Sequence, residues 1–247
     1  MKFAVISVMP AMFEAMKYGV TGRAITNKLV DLTVINPRDF ATNSHKQIDD
    51  RPYGGGPGMV MMAKPLEAAI IHAKKQLGEA RIIYLSPQGK TVKQSDLCDA
   101  AKQQKPLAFI AGRYEGIDER IINTVCDEEW SVGDVVLSGG ELAAMMVIDG
   151  ITRLIPGALG HHASATSDSF MNGLLDSPHY TRPEDFNGQK VPQVLLRGDH
   201  KAIERWRLKQ ALGNTWLKRP DLILQRQLTE LERELLNEFK SELRSTP

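Results

Sequence analysis

The chain has 247 residues and a formal net charge of +1, with 42% hydrophobic and 25% charged residues. This composition is ordinary for a globular protein, so it excludes a collagen-like repeat, a disulfide scaffold and a long disordered tail. Cys98 and Cys126 are its only cysteines, and we expect both to be free thiols in a reducing cytoplasm. No apolar stretch approaches the length of a membrane span, so we expect no membrane partner.

Short apolar runs alternate with amphipathic segments over the first two-thirds of the chain. The apolar runs predict strands at 3–8, 32–36, 59–62, 81–85 and 106–110. The amphipathic segments predict helices at 64–78, 117–125 and 141–154. Alternation of this kind predicts an α/β domain with a mostly parallel sheet.

The composition changes after residue 155. Residues 156–169 are small, polar and turn-forming, which is typical of a linker. We therefore predict an α/β domain at 1–160, a flexible linker at 161–170 and a smaller helical domain at 171–247.

The last part of the chain carries helical signals. Asp199 is a suitable N-cap for a helix at 200–212, Gly213 is a suitable stop, and 229–244 has the pattern of a charged amphipathic helix. Residues 197–219 hold seven Lys or Arg against two Asp or Glu, with two tryptophans among them. This stretch is either a solvated basic helix or a phosphate-binding face for a nucleic acid.

Several common catalytic motifs are missing from the sequence. The GKT at 89–91 lacks the upstream glycine of a phosphate-binding loop, and no G-x-G-x-x-G occurs. Neither H-E-x-x-H nor G-x-S-x-G is present, so zinc-protease and serine-hydrolase chemistry have no support. No cluster of metal ligands is evident; Mg²⁺ is compatible with the sequence but not demanded by it.

Four glycine-containing stretches follow predicted strands or precede predicted helices, at 51–59, 84–89, 111–120 and 130–145. Glycines at such places let a ligand approach backbone N–H and C=O groups closely. In open α/β sheets these loops lie at the carboxyl ends of the strands, where ligands bind. A single loop of this kind is more often a tight turn, but four together favour a small-molecule pocket built from backbone.

Seven blocks of the sequence resemble successive signatures of the bacterial tRNA (guanosine-37-N1)-methyltransferases, which belong to the SPOUT class. The blocks are RPYGGGPGM, YLSPQG, GRYEGIDER, GDVVLSGGEL, ASATSDSF, LLDSPHYTRP and RWRLKQALGNTWLKRP. The resemblance implies methyl transfer from S-adenosylmethionine to N1 of guanosine 37, next to the anticodon, which helps to maintain the reading frame in translation. It also implies a SPOUT-type parallel sheet with a deep C-terminal trefoil knot, followed by a small all-helical domain. The implied partners are the tRNA anticodon stem-loop and a second copy of the chain, with active sites at the subunit interface and no role for DNA.

Carried onto this sequence, the resemblance places S-adenosylmethionine in the glycine-containing loops. The implied cofactor-binding residues are Tyr84, Leu85, Ser86, Pro87, Gln88, Gly89, Gly112, Tyr114, Glu115, Ser131, Val132, Gly133, Val135, Leu137, Gly139 and Gly140. Glu115 is the candidate for an anionic surround of the sulfonium. Considered alone, Glu115 is an acid favoured by the helix dipole near the N-terminus of a helix, and the two roles are compatible.

The resemblance assigns the chemistry to two residues. Guanine N1 carries a proton near neutral pH, so a general base is needed, and the family's base corresponds to Asp168. The family's arginine for the charge that develops on O6 corresponds to Arg153. Without the resemblance, Asp168 is an N-cap for a helix at 169–175, and Arg153 is a charge that ends the helix at 141–154. The resemblance further implies that the linker becomes ordered only when tRNA binds. The general base would then be in position only over the correct substrate, which is a form of induced fit.

The resemblance implies several contacts to tRNA. Asp49 and Asp50 correspond to acids that approach the guanosine preceding the target, and Asp176 and His179 belong to a substrate-contacting block. His179 is about equally suited to a structural role beside a helix. The basic residues expected to contact phosphates of the anticodon stem are Arg205, Arg207 and Lys209.

The sequence departs from the family pattern near the expected pocket. Ala143 stands where many members have proline, and Val135 where an aromatic residue is common, but neither change removes a group that does chemistry. Two alternatives stay open on the sequence alone. One is a SPOUT methyltransferase that acts on another RNA, and the other is a catalytically silent RNA-binding protein, which need not bind S-adenosylmethionine.

Overall fold

Residues 1–160 and 167–245 are described by a computed structural model, in which the chain divides into two units, Met1–His162 and Ala163–Pro247. Residues 161–166 of the predicted linker lie outside the described residues. Residues 167–170, the end of that predicted linker, form bends and turns.

A five-stranded sheet forms the centre of the first unit. Its strands are β1 (Lys2–Ile6), β2 (Asp31–Ile35), β5 (Arg81–Thr91), β6 (Leu107–Ala111) and β7 (Glu128–Ser131). Their order is β2-β1-β6-β5-β7, and every neighbouring pair is parallel. The prediction of an α/β fold with a mostly parallel sheet is confirmed.

Helices cover both faces of this sheet. They are α1 (Gly19–Thr26), α2 (Ala63–Leu77), α3 (Gln94–Gln103), α4 (Glu119–Val125) and α5 (Glu141–Thr152), with 3-10 helices at Pro10–Lys17 and Pro37–Phe40. Successive strand residues point to opposite faces. Phe3 and Val5 therefore pack with α1, α3 and α5, whereas Ala4 and Ile6 pack with α2 and α4.

Two strands differ from the sequence-based expectation. β7 was not predicted, because its sequence EEWS has charged residues and no apolar run. β5 continues six residues beyond the predicted 81–85 and changes its register against β7 between Leu85 and Lys90. The predicted strand at 59–62 joins no main-sheet strand; there, β4 (Val60–Met61) pairs antiparallel with β3 (Asp49–Asp50).

The second unit is built mainly from helices. They are α6 (His200–Lys218), α7 (Pro220–Leu224) and α8 (Glu230–Ser245), with a 3-10 helix at Gln193–Leu195. Leu174, Leu212, Leu235 and Leu236 form its buried centre. Within the described ranges, no helix of either unit is long and apolar enough to cross a membrane.

Three predictions for this unit are wrong. It is not all-helical, because β8 (Asp185–Phe186) and β9 (Gln189–Lys190) form a hairpin whose turn residues, Asn187 and Gly188, have positive φ values. An Asn-Gly turn is a strong hairpin signal that the sequence interpretation overlooked. Gly213 does not end α6, and residues 169–175 form turns instead of a helix, with Ser169 Oγ accepting a bond from the Asp176 N–H at 2.9 Å. Such local side-chain bonds compete with a helix.

Neither Cys98 nor Cys126 forms a disulfide bond in this structure. Burial, with help from Glu129 and Asp127, raises the pKa of the Cys126 thiol to about 11. The reactive thiolate is therefore scarce at neutral pH, and Cys126 is not suited to be a nucleophile.

Candidate active site

Three loops of the first unit meet at the carboxyl ends of β5, β6 and β7. Parallel neighbours bring these ends to one edge of the sheet, so the loops after them lie together. They enclose a cleft of about 300 Å³. This volume is at the lower end of the range for small-molecule sites.

The cleft brings together the residues that the sequence analysis assigned to cofactor binding, apart from Gly89. From β5 and its loop these are Tyr84, Leu85, Ser86, Pro87 and Gln88, and from the loop after β6 they are Gly112, Tyr114 and Glu115. The loop after β7 contributes Ser131, Val132, Gly133, Val135, Leu137, Gly139 and Gly140. Gly89 packs instead against the backbone of Glu129 and Trp130.

Six further residues of the predicted stretches 111–120 and 130–145 line the cleft, although none of them was among the cofactor-binding residues named above. They are Arg113, Gly116, Trp130, Val136, Ser138 and Ala143. Arg113 and Gly116 lie inside the GRYEGIDER block, and Val136 and Ser138 inside GDVVLSGGEL, so the blocks themselves were the available signal. Trp130 begins the stretch 130–145 but was not singled out, although its neighbour Ser131 in β7 was.

The cleft walls combine backbone groups, apolar side chains and few charges. Glu115 is the acidic residue among the lining side chains, and Arg113 is the basic one. The guanidinium of Arg113 is paired with the carboxylate of Glu141, 3.0 Å from Nε to Oε2. Glu115 has no such partner among the wall residues, so the uncompensated charge of the wall is negative, which suits a cationic ligand.

Two tyrosines, together with Trp130, supply the aromatic side chains that line the cleft. Tyr84 is buried; that burial and the nearby Glu129 raise the pKa of its hydroxyl, which stays a neutral donor at physiological pH. Tyr114 is half-exposed and has a φ of 63°. A left-handed conformation is uncommon for a residue other than glycine, and such strain is concentrated at functional sites.

Close backbone approach holds two of the loops together. The N–H of Gly140 donates to the carbonyl of Gly112 at 2.9 Å, which joins the loop after β7 to the loop after β6. A Cβ at position 140 would lie 2.8 Å from the Cα of Ala111, so only glycine fits. α5 begins immediately afterwards, at Glu141.

The β3–β4 hairpin carries the predicted tRNA residues Asp49 and Asp50 and lies beside the cleft. The N–H of Glu115 donates to the carbonyl of Met59, and the N–H of Met61 donates to the carbonyl of Gly116, both at 2.9 Å. The structure therefore connects the two aspartates to the loop that carries Glu115.

Arg153 lies at the end of α5 that is remote from the cleft. Its side chain is exposed, and its N–H donates to the carbonyl of Asp149 at 3.0 Å. The cleft-lining Ala143 belongs to the first turn of α5, about 15 Å from Arg153 along the helix axis.

Asp168, Asp176 and His179 belong to the second unit. The carbonyl of Asp168 accepts a hydrogen bond from the N–H of Met171, in the same turns that Ser169 ties to Asp176. The Asp176 carboxylate contacts His179 Nε2 at 2.9 Å, and the Asp176 carbonyl accepts a bond from Asn214 of α6. The structure thus brings the predicted residues Asp176 and His179 together and anchors their loop to α6.

The three basic residues assigned to tRNA phosphates differ in their surroundings. Arg205 is paired with Glu234 and Glu238 of α8, and Lys209 is paired with Glu242 of the same helix. Arg207 is exposed and makes no ion pair within the described residues. Of the three, Arg207 is therefore the side chain best placed to meet a phosphate.

The described part of the chain contains no group of three or more His, Cys, Asp or Glu side chains that could hold a metal ion.

Comparison with known proteins relates the whole chain to one family. Residues 1–225 match the family described as tRNA (Guanine-1)-methyltransferase TrmD. A tRNA (guanine-N(1)-)-methyltransferase of Legionella pneumophila (strain Paris) is 63% identical over 239 residues, covering 96% of each chain. The proteins of that name from Photorhabdus laumondii and Yersinia pestis (strain Pestoides F) are each 57% identical over 244 residues; these residues are 98% of this chain, and 97% and 99% of theirs. Identity at this level over nearly the full length means that the chain belongs to the tRNA (Guanine-1)-methyltransferase family.

Proposed function

We propose that this protein transfers a methyl group from S-adenosylmethionine to N1 of guanosine 37 in tRNA and so helps to maintain the reading frame. The observation that carries the proposal is the convergence of three family blocks, around residues 84–88, 112–116 and 131–140, on one cleft. Full-length identity to tRNA (guanine-N(1)-)-methyltransferases supports the reaction and the class of RNA.

The cleft residues fit the proposed methyl donor. When bound, S-adenosylmethionine supplies an electrophilic methyl group on a positively charged sulfur. The backbone groups of the three loops offer donors and acceptors for an adenine edge, and the apolar Leu85, Val132 and Leu137 offer surfaces for its ring. Glu115 supplies the negative charge that a sulfonium favours.

The remaining chemistry is assigned to Asp168 and Arg153. We infer that the Asp168 carboxylate removes the proton from guanine N1, because the protonated nitrogen is not nucleophilic. The guanidinium of Arg153 then stabilises the negative charge that spreads to O6. Mg²⁺ beside Glu115 remains a prediction with no assigned step.

The position of Arg153 supports a homodimer. Because Arg153 and the cleft lie at opposite ends of α5, one copy of the chain does not bring them together along that helix. A twofold axis across α5 would pair the helices antiparallel, so that each Arg153 lies beside the other copy's cleft. The active sites would then be composite and lie at the subunit interface.

The tRNA anticodon stem-loop is the proposed substrate. Asp49 and Asp50 would read the base preceding the target, Asp176 and His179 would contact the substrate, and Arg207 would contact phosphates. Arg205 and Lys209 would act mainly through their pairs with α8.

The proposed organisation assigns cofactor binding and catalysis to 1–160 and tRNA binding to 171–247, with 161–170 as the linker between them. We also propose the deep trefoil knot, since the loop after β7 returns to the end of β6 before α5 packs on α3. A tRNA-modifying enzyme of this kind would work in the cytoplasm.

Methyl transfer from labelled S-adenosylmethionine to an unmodified tRNA transcript with guanosines at positions 36 and 37 tests the proposal. We expect the label in N1-methylguanosine, and none in a matched transcript with adenosine at position 37. Equal labelling of both transcripts, or labelling of a different base, would assign the enzyme to another site. If the protein binds the donor but transfers no methyl group to any tRNA, its substrate would be another RNA. If it binds no donor, it would be an RNA-binding protein without this activity.

A further inference from the structure

A buried carboxylate lies directly beneath the proposed donor cleft. Glu141 is the first residue of α5 and its side chain is 0% exposed. Burying a carboxylate is costly unless it is paired and hydrogen-bonded. The groups that pair with the Glu141 carboxylate therefore indicate its role.

Both carboxylate oxygens of Glu141 are used. Oε1 accepts a hydrogen bond from the buried Ser7 hydroxyl at 2.8 Å, and Oε2 accepts one from Arg113 Nε at 3.0 Å. Ser7 Oγ in turn accepts the N–H of Met9 at 3.0 Å. The carboxylate is thus held from the end of β1 and presents its second oxygen to Arg113.

Arg113 connects this carboxylate to the cleft wall. Its Nη1 donates to the carbonyl of Ser138 at 3.3 Å, and its Nη2 lies 3.3 Å from the sulfur of Met12. Its backbone N–H points to the sulfur of Met61, on the β3–β4 hairpin, at 3.4 Å. Arg113 and Ser138 both line the cleft.

We propose that Glu141 is a positioning residue for the methyl donor, acting through Arg113 in two ways. It holds the guanidinium where it fixes the carbonyl of Ser138 and thus the shape of the loop after β7. It also neutralises a positive charge that would otherwise face the cationic sulfonium. The inference rests on the proposed function, since it takes S-adenosylmethionine as the ligand.

Binding of two nearly identical compounds separates the charge effect from the structural one. S-adenosylmethionine carries a sulfonium, whereas S-adenosylhomocysteine is the neutral thioether. In Glu141→Gln the shape is kept and Arg113 is left uncompensated, so the dissociation constant should rise for both compounds. The rise should be about tenfold larger for the sulfonium, the size expected for one charge near a partly solvated site.

The experiment measures both dissociation constants by calorimetry on the full-length protein. Ser7→Ala keeps the charge and loses one bond, so it should weaken both compounds equally. The double variant Arg113→Gln, Glu141→Gln removes both charges, so the preference between the compounds should return to that of the wild type. Asp221→Asn is the matched control: it breaks an arginine–carboxylate pair with Arg219 in the second unit, neither residue lines the cleft, and both constants should stay unchanged.

The outcomes are distinct. Equal weakening of both compounds in Glu141→Gln, or no weakening, would overturn the inference, and the double variant tests it again if Glu141→Gln does not fold. A wild-type protein that binds neither compound would refute the proposed function, and this inference with it.

Discussion

Asp168 and Glu141 both carry a carboxylate, but their surroundings suit the two groups to different roles. Glu141 is fully buried and bonded through both oxygens, so it holds other groups in place. Asp168 is partly exposed in a set of turns, where a carboxylate can accept a proton from a substrate. The proposed reaction therefore uses the accessible acid as the base.

Replacing Asp168 by asparagine should abolish most of the methyl transfer while leaving donor binding unchanged. The amide cannot take the N1 proton, and removing a general base typically costs 10²- to 10⁴-fold in rate, so we expect a loss of at least about 100-fold. Single-turnover transfer to the guanosine-37 transcript measures the rate, and calorimetry measures the donor affinity.

Asp185→Asn serves as the control for this variant. Asp185 is an exposed acid in the same unit and accepts a bond from Gly188, which an asparagine oxygen can also accept. Its turnover should equal that of the wild type. A near-normal rate in Asp168→Asn would remove Asp168 as the base.

At the scale of elements, the two sides of α6 have different roles. The side that carries Arg205 and Lys209 faces the acidic stripe of α8, formed by Glu234, Glu238 and Glu242. Arg207 lies half a helical turn away from Arg205 and is exposed. The basic stretch is therefore partly a helix–helix contact, which neither of the two sequence interpretations described.

Reversing the charge of Arg207 and neutralising that of Arg205 should separate RNA binding from stability. Arg207→Glu should weaken tRNA binding and reduce the slope of log affinity against log salt by about one, because one phosphate contact is lost. Arg205→Gln should mainly lower the melting temperature, since it loses the pairs with α8. Filter binding at several salt concentrations and thermal unfolding measure the two effects; identical salt slopes for Arg207→Glu and the wild type would contradict the assignment.

The limits of the sequence interpretation lie where distant parts of the chain decide local structure. Strands and helices with apolar periodicity, such as β6 and α2, were predicted to within a few residues. Gly213 was taken as a stop, but α6 runs through it, and the glycine instead makes room for the Phe239 ring, which would lie 2.4 Å from a Cβ at this position. The carboxylate partners of Arg205 and Arg113 are likewise 28 or more residues away in the sequence, so no local pattern predicts them.

For the whole molecule, the loops were easier to predict than their assembly. Glycines after strands at one sheet edge pointed to a cleft, and all but one of the predicted cofactor residues line it. The sequence predicted a helix at 141–154 with Arg153 at its end, but whether that helix leads away from the cleft depends on the direction in which α5 packs. Because of the separation between Arg153 and the cleft, the proposed role of Arg153 depends on the oligomeric state of the protein.

The outer face of α5 offers a surface for the proposed second copy. Leu142 and Met146 are 51% and 47% exposed and lie one turn apart on the helix, on the same side as Arg153. Val136, in the loop that precedes α5, is 90% exposed. Clustered apolar side chains at the surface are typical of an interaction site.

Replacing Leu142 and Met146 by glutamate should therefore separate the two copies. The wild type should have a mass of about twice 27.4 kDa by light scattering, and the double variant a mass near 27.4 kDa. Its circular dichroism should stay native, whereas methyl transfer should fall at least about 100-fold, because each cleft would lack the other copy's Arg153. Ile71→Glu, which changes an exposed apolar residue of α2 on the opposite sheet face, controls for added charge and should keep both mass and activity. A double variant that is monomeric and fully active would show that each copy contains a complete site, and one that remains a dimer would place the interface elsewhere.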